Sequence, residues 1–271
     1  MLNAMGEETA AGRSAPQTAV AETFWPLIAF VFAVLATTLP IAGHLYLPLV
    51  DLPNHIARLY IAAAPQDGPL STYYSYTAAL VPNSAADLIW RGLGFPGDPA
   101  RFAQLFMAFY AMNLTAAAMV LSRVVHGRWS AWPAAAALVV YSAPFYWGFQ
   151  NFVFSLPFCL YGLALWLAME DSRWLRFRVA IFLPFAAALY LMHFFAFAIL
   201  AIAVFGREVQ RGLESDATFL RRGITLSLQM LPFAIPVLWL ASTLIGGSDG
   251  SGSSRTEYGE LFLRFWAFVS P

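Results

Sequence analysis

"VAIFLPFAAALYLMHFFAFAILAIAVF", residues 179–205, is an apolar run interrupted by a single histidine, His193. A helix of roughly 20 apolar residues crosses a hydrocarbon core about 30 Å thick, so the run is long enough for one crossing. Arginines stand at both of its ends, however: Arg173, Arg176 and Arg178 before it, and Arg207, Arg211, Arg221 and Arg222 after it. Short Arg-rich loops stay on the cytoplasmic side, and a single crossing would put the two clusters on opposite sides. Either one cluster departs from that bias, or the run enters and returns as two half-helices of about 13 residues, each near 20 Å long. The split would then fall at "LMHF", with His193 at the tip. The hairpin is the preferred reading, and a straight crossing with one exposed basic loop is its rival.

The rest of the chain agrees with a membrane setting. Hydrophobic residues make up 60% of the 271 and charged residues 11%, against about a quarter charged in soluble domains. Further crossings are expected at 24–48, 102–122, 131–148, 152–169 and 224–245. With the hairpin this gives an all-α polytopic protein of about seven transmembrane helices. Residues 1–22 are polar and small and read as a disordered cytoplasmic tail, and 23–271 as one multi-spanning domain. The 15 basic residues are all arginine, which removes a lysine Schiff base or a phosphate-loop lysine from consideration, and a net charge of zero gives no sign of nucleic acid. Cys159, alone in an apolar run, reads as core filler. The arginine loops at 123–130, 170–178 and 206–223 set the cytoplasmic face, which leaves the long loop 49–101 outside.

That loop far exceeds the usual four to six residues of a connection and carries helix signals of its own. "DLPNHIARLYIAAAPQ" opens with a capping Asp and an early Pro. "VPNSAADLIWRGLG" repeats the pattern, with Asn83 or Ser84 as cap. Two short helices lying on the outer membrane surface are expected, with Trp90 and the tyrosines 73, 74 and 76 at headgroup depth. Within the first, Asp51, His55 and Arg58 stand at i, i+4 and i+7 and share a helix face. A carboxylate, an imidazole and a guanidinium together can take a proton and hold an acidic group. The plain alternative is a helix cap followed by two interfacial side chains. Gln150 and Asn151 fall at a tight outer turn within an aromatic belt, where satisfying that turn is their simplest role. His193 reads equally as a packed histidine bonded locally.

An acid just after the first membrane helix, a long outer loop with surface helices, and the segments "DLPNHIARLY", "VPNSAADLIW" and "YWGFQNFVFSLPFCLYGLALWL" resemble the GT-C superfamily of integral membrane glycosyltransferases, in particular uncharacterised bacterial members. The resemblance spans about residues 24–245. It implies transfer of a sugar from a polyprenyl phosphate donor to a lipid or glycan acceptor on the outer face of the bacterial inner membrane, with the N-terminus cytoplasmic. It also implies Asp51 as general base assisted by His55. Arg58, His193, Asn54, Gln150 and Asn151 become candidates for binding the donor phosphate or substrate. Many members carry a second acid near the first, where this chain has Asn54 and His55. That is a thin site for a hard divalent ion, so no metal or other cofactor is expected. Members are commonly longer, so the chain reads as a truncated or minimal form. The rival classes are a transporter or lipid flippase and a noncatalytic membrane partner subunit, with a histidine-dependent acyltransferase ranked below them.

Overall fold

The computed structural model describes residues 15–65, 67–74, 76, 80–95, 97–170 and 175–246. Among them every regular element is helical. The helices are α1 Ala15–Ala42, α2 Leu52–Ala63, α3 Ala85–Gly92, α4 Pro99–His126, α5 Ala143–Tyr146, α6 Gln150–Ala168, α7 Arg178–Met192, α8 Phe194–Glu214 and α9 Phe219–Gly246. Three stretches are long and apolar enough to cross a membrane, Phe24–Ala42, α4 and α6, and α7 is a shorter apolar helix. The described residues up to Pro236 belong to one compact unit, and α9 from Val237 to Gly246 belongs to a second. Residues 247–271 and, of the expected tail, 1–14 lie outside the described residues. The rest of the expected tail is already helical from Ala15.

The run at 179–205 is broken where its histidine stands. His193 is extended (φ −165°, ψ 127°), ending α7 and capping α8, and its Nδ1 accepts the Phe195 N–H at 3.2 Å. The two helices then fold back on each other. Arg178, the first residue of α7, donates from Nη2 to Glu208 Oε1 of α8 at 2.9 Å. These partners lie 15 residues before and 15 after His193, so the reversal closes symmetrically. The half-helices are longer than expected, because helix continues through the flanking arginines.

Arg178 is therefore no loop residue. It is fully buried, with its guanidinium 4.0 Å over the Trp166 ring and its Nε 3.1 Å from Gln229 Oε1. Trp166 Nε1 also donates to Glu208 at 2.9 Å, and Arg207 pairs with Glu170 nearby. Burying one charge is costly unless it is paired and hydrogen-bonded, and this arrangement supplies partners to Nε and Nη2 of Arg178, with Nη1 left without one among the described residues. It fastens α6, α7, α8 and α9 at one end of the bundle. Midway along the same packing, Gly162 of α6 admits Phe185 and Leu200: a Cβ there would lie 2.6 Å from the Phe185 ring.

At the opposite end, α1 stops at Ala42, six residues short of the expected boundary. Gln104 of α4 is the reason. Its Nε2 lies 3.0, 3.0 and 2.9 Å from the carbonyls of Ile41, Ala42 and His44, groups that a helix end leaves without partners. The expected crossing at 131–148 is not one α-helix. A 3-10 helix, Trp132–Val139, precedes a bend at Ser142 and the single turn of α5, with Pro133 and Pro144 each suited to starting a helix and not to continuing one. Tyr110 and Tyr141 hold this segment by donating to the Val140 and Thr37 carbonyls.

The loop helices form where expected, but α3 does not lie on a surface. Trp90 is fully buried against Phe102 and Phe95, and Ala85 and Ala86 pack on Phe106 and Phe154. Trp90 thus belongs to the core, while Tyr73 and Tyr74 are exposed. Replacing Glu208 by Ala leaves the Arg178 charge buried without its carboxylate. Thermal or denaturant unfolding in detergent should register a loss of about 3–5 kcal/mol, most of it recovered when Arg178→Met is added.

Candidate functional site

Asp51 stands at the N-cap of α2, yet its side chain makes no capping bond. One oxygen accepts from Asn54 Nδ2 at 2.9 Å and the other lies 3.2 Å from His55 Nε2. The backbone explains this choice. Val50 N–H donates to the Tyr146 carbonyl and Asp51 N–H to the Trp147 carbonyl, so residues 50–51 are laced to the turn after α5. Gly148 makes the lacing feasible. Its φ of 78° favours glycine, and a Cβ would sit 2.8 Å from both the Asp51 and Leu52 nitrogens. The carboxylate is thereby held beside His55 and away from its own helix end.

Asp51 and His55 open into a cavity of about 420 Å³, lined also by Asn83, Pro144, Phe149, Phe152, His193 and Phe195. His193 arrives from the α7–α8 break, its ring centroid 5.0 Å from that of Phe152. With Nδ1 accepting from Phe195, the neutral ring of His193 carries its proton on Nε2, leaving one donor for a ligand. His55 is 9% exposed, and burial lowers its pKa below the usual 6.5 despite the neighbouring Asp51 charge, which raises it. A neutral imidazole facing a carboxylate at this distance donates to it. Asp51 and His55 thus form an acid–imidazole dyad whose carboxyl group is held in one orientation by His55 and Asn54.

The amino ends of four helices meet around this cavity. Asp51 caps α2, Phe149 caps α6 and His193 caps α8, while Asn83 immediately precedes Ser84, the cap of α3. Asn151 sets the α3 end: its Nδ2 donates to the Asn83 carbonyl at 2.7 Å and its Oδ1 accepts from Ala86 N–H at 2.9 Å. Ser84 N–H donates to the Leu191 carbonyl beside the break. Helix amino ends carry partial positive charge, which opposes the Asp51 carboxylate in a lining that holds no Lys or Arg.

Several expected site residues are placed differently. Arg58 does not line the cavity: its guanidinium forms a two-pronged pair with Asp87 of α3, which is buried. A cation so matched is not available to a ligand phosphate, and the pair instead ties α2 to α3. Gln150 and Asn151 are not in a turn. Both are buried in the first turn of α6, and the reversal lies at 147–149. Asn151 positions α3, and the Gln150 side-chain amide has no hydrogen-bond partner among the described residues. Asn54 acts on Asp51 alone. Asn83, which sequence reasoning weighed only as a cap, has φ 67° and faces the cavity; the Pro82–Asn83 pair, a turn signal, was the available hint. No group of three or more His, Cys, Asp or Glu side chains suited to a metal occurs among the described residues.

Comparison with known proteins finds no matching family model, curated protein or solved structure.

Two outcomes are expected. Gly148→Ala must displace backbone at Asp51, so unfolding should show a loss of at least about 1 kcal/mol, and Gly148→Val should cost more. Because the His55 pKa is lowered in the folded state, the unfolded chain binds its proton first. Stability should therefore fall as pH drops below about 6.5 towards the folded-state pKa. His55→Gln should flatten that fall, and NMR titration of the ring should move lower still in Asp51→Asn.

Proposed function

We propose that the chain is a membrane glycosyltransferase of the GT-C type. In this reading it moves a sugar from a polyprenyl-phosphate-linked donor to a lipid or glycan acceptor on the extracytoplasmic face of the bacterial inner membrane. The observation that carries the reading is the meeting of the Asp51–His55 dyad with four helix amino ends around one cavity. Such a site suits a substrate with a hydroxyl to be deprotonated and an anionic leaving group.

The acceptor hydroxyl places its proton on the Asp51 carboxylate as its oxygen attacks the anomeric carbon. The bond from that carbon to the lipid phosphate oxygen breaks, and the phosphate leaves with the electron pair. His55 holds the carboxylate by its N–H and, being neutral, adds no competing proton. The departing charge meets the amino ends of α3, α6 and α8 and the Nε2–H of His193, the task first expected of Arg58. Phe149, Phe152 and Phe195 offer the sugar flat apolar faces and exclude water. The accompanying topology has the N-terminus cytoplasmic and about seven passes, with α7 and α8 entering and returning from one side so that His193 joins the 49–101 loop outside.

Purified protein in liposomes, supplied with a panel of polyprenyl phosphate sugars, tests this. Asp51→Asn should reduce transfer by about 10²- to 10⁴-fold with unfolding unchanged, and His193→Gln should lower it less. Equal turnover in wild type and Asp51→Asn would sink the catalytic assignment. Translocation of the lipid-linked sugar with no product would point to a flippase instead.

A further inference from the structure

The end of the bundle remote from the dyad carries a second cavity of about 350 Å³. It lies between α1 and α4 and is lined by Pro26, Leu27, Phe30, Ala116, Met119, Val120 and Trp129. Both walls belong to helices long and apolar enough to cross a membrane, and no lining residue is charged. Its floor is the packed group Ala33, Met119 and Ala134. In a bilayer the molecule that fills an apolar groove of this kind is a hydrocarbon chain.

The mouth of the groove specifies which lipid. Ala116, Met119, Val120 and Arg123 stand at i, i+3, i+4 and i+7, so Arg123 continues the groove-lining face of α4 by one turn. Gly127 then ends the helix in the left-handed conformation (φ 71°), with its N–H on the Arg123 carbonyl. The chain turns there, Trp129 comes back to line the groove, and Arg128 immediately precedes it in the chain. Among the side chains that the structure describes, which begin at Phe24, neither Arg123 nor Arg128 is paired with a carboxylate, whereas Arg58, Arg178, Arg207 and Arg211 are. The segment 123–132, "RVVHGRWSAW", contains no acid. Two arginines that follow an apolar slot between membrane-length helices and flank a tryptophan in sequence complement a phosphate headgroup with its chain in the slot.

We propose that this groove is a binding site for an anionic phospholipid of the bilayer, with one acyl chain between α1 and α4 and the phosphate held by Arg123 and Arg128. The site is separate from the dyad cavity, and its occupancy does not depend on the reaction catalysed there.

Native mass spectrometry of the full chain released from mixed detergent–lipid micelles tests the proposal. The probes are phosphatidylglycerol and phosphatidylcholine with identical acyl chains, offered in equal amounts. Wild type should retain phosphatidylglycerol in preference, by roughly tenfold, as expected for two basic residues near a headgroup. The pair of substitutions Arg123→Gln and Arg128→Gln should abolish that preference while leaving some of either lipid bound. Ala116→Trp, which fills the slot, should reduce both. A thermal melt in lipid-free detergent checks that the arginine variant folds. Equal retention of the two lipids by wild type, or a preference surviving loss of both arginines, would overturn the proposal. So would a co-purified isoprenoid chain that phosphatidylglycerol fails to displace.

Discussion

Two backbone hydrogen bonds, Val50 N–H to the Tyr146 carbonyl and Asp51 N–H to the Trp147 carbonyl, bind the start of the long loop to the turn before α6. Everything at the site depends on this lacing. It lets α2 begin against the bundle, and it turns the Asp51 carboxylate towards His55 in place of its own helix end. It also sets the Phe149 cap of α6 beside the Asp51 cap of α2. The contact is available only because residue 148 has no side chain. An exposed polar loop would have left these N–H groups to water. Here they are used to position chemistry.

A second constraint works from the other end. Arg178 and Glu208 close the α7–α8 hairpin, and the closure fixes where His193 emerges. A buried ion pair is weak support for stability by itself. Its partners also bear on register, since Trp166 and Gln229 contact the same guanidinium from α6 and α9. The Asp51–His55 dyad and the Arg58–Asp87 pair lie at one end of the bundle, and the Arg178–Glu208 and Arg207–Glu170 pairs at the other.

Much of the site was legible in the chain itself. Helical spacing put Asp51 and His55 on one face, and a histidine inside an apolar run with arginines at both ends located the break at 193. The helices of the first loop were found from cap and breaker residues. What could not be read were partners distant in sequence. Arg58 has the same local pattern whether it faces a ligand or Asp87, 29 residues on, and nothing in the spacing distinguishes the two. Trp90 was misplaced because an amphipathic helix with a tryptophan reads alike at a membrane surface and over a core. The broken segment at 131–148 was missed for a related reason: hydropathy reports where a chain is apolar, not whether its backbone keeps an α-helical repeat through Pro133 and Pro144.

The symmetry of the hairpin has a consequence for how such a chain can vary. Arg178 and Glu208 meet because the arms on either side of His193 are of equal length. Inserting one residue into a single arm would slide its far end by about 1.5 Å and swing it by about 100°, taking the charge off its partner and into the apolar packing. The two arms therefore cannot change length independently. Tolerated insertions or deletions in this region must keep both the length and the rotational phase of each arm, or fall beyond the ion pair altogether.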